Sequence, residues 1–299
     1  MSVPQPSAPI QDLFRRLAPI RYGSPLRFPR LAGRVLLHGR RDRRALQAQV
    51  LQLLDREGLS LDPTVMEAYI HSAVMLHHLQ LSGVKVRTMM KPELMTSLAE
   101  EVSHVVRADV PGELVDVGVW KGGSSMVMKA VADELGSRRR VVCLDLFDTM
   151  DTRVLHTDDP VEDRVIIGAL DLARAYFGTE GVCTSVPEIR TGFAEMGVSL
   201  DGVDFIQGNL VSDDFPFHRV GDIALLRVDC DFYAATRATL AALFPKMQPG
   251  GVLIFDDYFL EGFGERRAVD ELRAQLGTTT PMRRVGQSAV WRLETGDSK

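Results

Sequence analysis

Glu113-Leu-Val-Asp116-Val-Gly118-Val-Trp120-Lys-Gly122-Gly123-Ser124-Ser125 is the stretch on which the reading of the fold turns. An apolar run closing on an acid and a glycine, then Gly-Gly-Ser-Ser, reads as a strand, a tight turn and the opening of a helix. Glycines at such a turn let a ligand approach the backbone and meet the N–H groups that an opening helix leaves unpaired. The spacing is G-x-x-x-G-G. It lacks the G-x-G-x-x-G pattern that admits a pyrophosphate, which speaks against an NAD-dependent oxidoreductase.

Outward from this turn, short β-rich runs at 114–117, 141–144, 203–206, 223–228 and 252–255 alternate with helical segments at about 124–135, 187–196, 235–247 and 265–276. Alternation of this kind implies parallel strands joined by helices, an α/β doubly wound, Rossmann-like sheet. Two last runs, 282–285 and 289–293, flank Gly286-Gln287-Ser288 and read as a closing hairpin. Upstream, apolar spacing predicts helices from about residue 43, near 63–81, and behind Pro92, where Leu94, Leu98, Val102 and Val105 recur at helical intervals. The expected organisation is a basic, Pro-rich N-terminal arm (1–42), an N-terminal helical cap (43–110) and the main domain (111–299).

The chain of 299 residues is 45% hydrophobic and 25% charged, a globular composition rather than that of a disordered tail. Cys143, Cys183 and Cys230 are scattered without a CxxC, so neither a disulfide framework nor a zinc site is indicated, and a reducing cytoplasm is the expected location. No apolar run is long enough to span a bilayer, and the start lacks the apolar core of a signal peptide. Net charge is −5, yet the first 50 residues hold ten arginines against Asp12 and Asp42. Such an arm suits an anionic partner, or clasps the acidic body of its own chain or of a sister subunit. Six prolines between Pro4 and Pro29 keep much of it from regular helix.

Two further constellations carry chemistry. The run 141–144 ends at Asp145, where a carboxylate can accept both hydroxyls of a ribose; alone, the same acid would equally serve as a helix cap. The run 223–228 ends at Asp229, with Asp231 just beyond, and the last parallel run ends at Asp256-Asp257. Three carboxylates on one sheet edge repel one another unless a divalent cation compensates them, so Asp229, Asp256 and Asp257 are the expected Mg²⁺ ligands.

The order ELVDVGVWKGGSS, CLDLF, DFIQGN, LLRVDCDFYAATRATL and PGGVLIFDDY resembles the macrocin/mycinamicin O-methyltransferase family over about residues 86–292. The resemblance implies a class I methyltransferase sheet, S-adenosyl-L-methionine and Mg²⁺ as cofactors, and methylation of a sugar hydroxyl on a macrolide-like secondary metabolite. It places Thr88 and Met89 against the methionine part of the cofactor. Together with the first turn it gives Asp116, Gly118, Trp120, Ser124, Asp145, Gly208 and Asn209 as the other cofactor-binding residues. Leu146-Phe147 stands where the family has Ser-Phe, so hydroxyl contacts at that turn are not expected.

Methyl transfer from a sulfonium is an in-line displacement, and a cation that takes vicinal substrate oxygens would orient and acidify the acceptor hydroxyl. Asp229 and His156 are the expected catalytic residues. His156, in the irregular segment 147–183, titrates near neutrality and is the expected base, with Asp148 and Asp151 behind it. Phe232 occupies the position of the lysine in catechol methyltransferases, which disfavours the catechol or phenol alternative. A nucleoside- or nucleic-acid-binding module is the remaining alternative, although nucleic acid is not the expected partner. The expected partners are a hydroxylated, glycosylated small molecule and a second copy of the chain, with no membrane.

Overall fold

The structure is a computed structural model, and it describes residues 5–18, 40–57, 70, 85–147, 160, 163, 184–260 and 263–294. Seven strands form one sheet: β1 (Glu113–Val117), β2 (Val141–Asp145), β3 (Val203–Gln207), β4 (Ile223–Val228), β5 (Met247–Phe255), β6 (Arg283–Val285) and β7 (Ser288–Arg292). Their order is β3-β2-β1-β4-β5-β7-β6. The first five are parallel, and β7 runs antiparallel to both β5 and β6. Strand order reverses between β1 and β4, and the crevice outside the carboxyl ends of strands at such a reversal is where open α/β sheets bind ligands.

Seven helices are described: α1 (Ala8–Leu17), α2 (Arg40–Glu57), α3 (Pro92–Arg107), α4 (Gly123–Glu134), α5 (Val186–Met196), α6 (Tyr233–Leu243) and α7 (Glu265–Leu276). Alternation along each strand divides the core in two. Leu114, Cys143, Leu225 and Ile254 face a layer built from α1, α3, α4 and α5, whereas Val115, Leu144, Leu226 and Phe255 face α6, α7 and the buried Trp291. Both faces are covered, which is why the parallel strands read as near-continuous apolar runs.

The structure departs from expectation in the N-terminal part. Residues 8–17 of the arm form a helix whose Ile10, Leu13, Phe14 and Leu17 are buried in the same core as the sheet. Pro9 is tolerated because it lies in the first turn, where its missing N–H has no helical partner anyway, and Ser7 caps the Ile10 N–H. The helix behind Pro92, expected as part of a cap, also packs into the sheet's own core through Met95, Leu98, Val102 and Val105. Described polar contacts also tie the arm to the body: Arg16 donates to the Glu195 carbonyl at 2.8 Å, and the Ser7 hydroxyl to Glu134 Oε2 at 2.5 Å. Strand β5 starts at Met247 instead of 252, its Pro249-Gly250 accommodated where the β4–β5 register shifts and Gly250 takes φ +78°.

Candidate active site

The turn after β1 is fixed by bonds from neighbouring strand ends. Gly118 donates to the Leu144 carbonyl at 2.9 Å, and Asp229 donates to the Val117 carbonyl at 2.9 Å. Gly118 has φ +79°, and a Cβ there would fall 1.8 Å from the Asp229 carbonyl oxygen. The glycine is therefore required by the approach of β4 as well as by the turn. Asp145 accepts Val119 N–H at 2.6 Å and Trp120 N–H at 2.9 Å on Oδ2, and Phe147 N–H at 2.9 Å on Oδ1. Burial raises its pKa against the pull of these three N–H groups. With about four acceptor positions on a carboxylate, the turn leaves Asp145 one, where two ribose hydroxyls had been expected. Trp120 is held at φ +46°, rare for a bulky residue, with the Lys121 ammonium 5.1 Å from its ring centre.

The strap 85–90 closes over the start of α4. Gly123 N–H donates to the Arg87 carbonyl, Arg87 N–H to the Leu17 carbonyl, and Met90 N–H to Thr88 Oγ1. Thr88 is thereby buried, while Met89 is left 48% exposed beside the turn. On the far side, Gly208 N–H donates to the Asp145 carbonyl at 3.0 Å, and Asn209 Oδ1 accepts Val211 N–H at 3.1 Å.

Asp116 is a correction. It is fully buried and points away from the crevice, because strand alternation turns it toward the α4 layer. Its Oδ2 accepts the hydroxyls of Ser124 (2.6 Å) and Ser125 (2.5 Å), and its Oδ1 accepts Arg227 Nη1 at 3.0 Å. Neither Asp116 nor the Ser124 hydroxyl is available to a ligand; Ser124 offers only its backbone N–H in the first turn of α4.

The acid cluster lies across the reversal point. Asp229, Asp231 and Asp257 bring one carboxylate oxygen each to within 4.8 Å of one another. Carboxylate oxygens that converge in this way are a hard, anionic donor set, which fits a divalent cation such as Mg²⁺. Asp256, expected in that set, is turned instead to Arg227 Nη2 at 3.2 Å and to the Ser288 hydroxyl. Asp231, carried in at φ +63°, is the third acid of the observed cluster. Arg227 Nη2 also reaches Asp229 Oδ2 at 2.5 Å. Glu265 and Gln287 complete the surround: Glu265 Oε1 accepts Asp257 N–H at 3.0 Å, and Gln287 Nε2 donates to Asp257 Oδ1 at 3.2 Å.

Charge at this edge is far from balanced. Among the described residues six carboxyls gather here, from Asp116, Asp229, Asp231, Asp256, Asp257 and Glu265, and the Arg227 guanidinium pairs with three of them, Asp116, Asp229 and Asp256. Burial disfavours the charged Arg227, but Asp256, Asp229 and Asp116 outweigh it and raise its pKa. Burial holds Asp229 well above the usual carboxylate range despite Arg227, with Asp256 and Asp257 adding to the rise. It does the same to Asp231, which Asp257 and Asp229 raise further, and it pushes Asp257 to about 6. Asp231 differs from Asp229 and Asp256 in having no contact with the guanidinium among the described ion pairs.

Arg227 had a signal in the sequence, a guanidinium inside an otherwise apolar strand, and Asp231 stands two residues from Asp229. Glu265 and Gln287 had none, since they come from α7 and from the β6–β7 turn. His156, Asp148, Asp151 and Cys183 lie outside the described residues. Among the described residues no helix is long and apolar enough to cross a membrane.

Comparison with known proteins gives concordant findings. The family model for macrocin O-methyltransferase (TylF) matches residues 83–293. The 8-demethyl-8-(2,3-dimethoxy-alpha-L-rhamnosyl)-tetracenomycin-C 4'-O-methyltransferase of Streptomyces olivaceus is 32% identical over 207 residues, 69% of this chain and 75% of the relative. The mycinamicin III 3''-O-methyltransferase of Micromonospora griseorubida is 27% identical over 77% of this chain and 89% of the relative. The solved structure of the O-methyltransferase NovP superposes with a TM-score of 0.62 and 26% identity, covering 71% of this chain and 84% of that one.

Proposed function

The chain belongs to the macrocin O-methyltransferase family, and from that premise we propose that it is a cation-dependent O-methyltransferase. It transfers the methyl group of S-adenosylmethionine to a sugar hydroxyl of a glycosylated natural product. The observation that carries this reading is the triad Asp229, Asp231 and Asp257, set across the strand reversal from the Gly118 turn.

Asp229 and Asp257 are the proposed cation carboxylates, being common to the sequence expectation and to the observed triad. Mg²⁺ bound there would supply a Lewis acid and a template for vicinal substrate oxygens, which suits a sugar diol. Asp231 is the proposed proton acceptor: it stands beside Asp229 and Asp257, and none of the described contacts of the Arg227 guanidinium engages it. It receives the proton that the acceptor hydroxyl gives up on methylation. Thr88, Met89, Trp120 and the one open acceptor position of Asp145 are proposed to line the methyl-donor side, with Gly208-Asn209 at its far end.

The test is methyl transfer from S-adenosylmethionine to an L-rhamnosylated aromatic acceptor, read as S-adenosylhomocysteine formed with Mg²⁺ and with EDTA. Transfer that requires Mg²⁺ is expected. Transfer unaffected by EDTA overturns the cation assignment, and transfer to a free catechol in preference to the glycoside overturns the acceptor class.

A further inference from the structure

Glu265, the first residue of α7, is fully buried, yet its two carboxylate oxygens are treated very differently. Oε1 accepts the Asp257 backbone N–H at 3.0 Å. Oε2 is buried with no hydrogen-bond partner among the described residues. The backbone N–H of the same residue donates to the Asp231 carbonyl at 3.3 Å, so Glu265 bridges the two segments that deliver the acids of the triad. A buried carboxylate oxygen without a donor is costly, and none of the described protein groups supplies one to Oε2. Glu265 is outside the triad whose oxygens converge within 4.8 Å, so it stands one step behind those acids.

We propose that Glu265 is an outer ligand of the cation site, its Oε2 accepting a hydrogen bond from a water molecule coordinated to the cation. This rests on the reading that the cluster holds a divalent cation. Mg²⁺ dehydrates reluctantly and keeps several of its waters, whose protons need acceptors, and carboxylates one step behind the ligands are the usual ones. Oε2 is left free to be such an acceptor, while Oε1 holds the backbone of Asp257 in position. Glu265 is therefore a positioning residue, acting on the cation through water and not on the substrate.

Two substitutions separate this role from its rivals. Glu265→Gln keeps an oxygen for the Asp257 N–H but replaces Oε2 with a donor. Glu265→Asp keeps the charge and withdraws it by one methylene. Mn²⁺ binding to the purified protein, read by the electron paramagnetic resonance signal of the free ion, gives the affinity without any turnover. Loss of an outer partner lowers metal affinity by about 10- to 100-fold, and a loss of about tenfold or more is expected for both variants. Unchanged affinity in both makes Glu265 a structural support for Asp257 alone and overturns the proposal. Weakening in Glu265→Gln only makes its role one of bulk charge and also overturns it. Wild-type protein that binds no Mn²⁺ instead overturns the cation reading beneath it.

Discussion

The two halves of the crevice are built on opposite principles. On the β1–β2 side every buried charge is answered within the protein: Asp116 by two hydroxyls and a guanidinium, Asp145 by three backbone N–H groups. On the β4–β5 side, among the described residues, carboxyls outnumber the Arg227 guanidinium, and one buried oxygen of Glu265 has no donor. The first half is complete as folded and presents a preformed surface. The second is complete only when positive charge arrives from outside, and its electrostatic cost is the complement of the binding it offers.

Arg227→Met would break this contrast most severely. It removes the one cation shared by both halves and leaves Asp116, which is wholly inaccessible, without its charge partner. Destabilisation of about 3–5 kcal/mol is expected, measured by urea unfolding. Asp231→Asn comes next: turnover should fall about 10²- to 10⁴-fold, the usual contribution of a positioned acid or base, with Mn²⁺ binding largely kept. Loss of Mn²⁺ binding in that variant would make Asp231 a ligand instead.

The pH dependence sharpens the contrast on one side only. Asp257 is raised from an ordinary 3.8 to about 6, so the folded protein holds its proton more tightly than the unfolded chain does. The stability this contributes is present in full below about 3.8 and is lost as pH rises through about 6. Cation-free protein should accordingly melt at a lower temperature at pH 7 than at pH 5, and Mg²⁺ should recover the difference at pH 7, as scanning calorimetry would show. The smallest effect belongs to the finished half. Ser124→Ala removes one of two hydroxyls on the same Asp116 oxygen, and a loss of about 1 kcal/mol is expected from urea unfolding, with Mn²⁺ affinity unchanged.

The sheet was legible in the sequence because burial on both faces writes parallel strands as apolar runs, and all seven were found, six to within a residue at each end and β5 five residues short at its start. Helix α1 was not, because counting prolines across the arm conceals that Pro9 occupies the one part of a helix that accepts it. In the site, the acids at the ends of β4 and β5 were legible as a group, since strand ends on one sheet edge must converge. Which of them face one another was not. Side-chain alternation stops at the strand's last residue, and beyond it Asp231 is placed by a left-handed turn that no periodicity announces. The inward turn of Asp116 was, in contrast, available from parity alone, since it alternates with Val115 and Val117.

The contact between Gly118 and the Asp229 carbonyl has a further meaning. It joins the turn proposed to seat the methyl donor to the residue proposed to seat the acceptor's cation, through backbone and with no side chain between them. The separation of donor and acceptor is thus a dimension of the sheet, as invariant as the spacing of its strands. Surrounding segments are then free to diversify toward new sugars over evolutionary time, because no change in them can detune the span across which the methyl group travels.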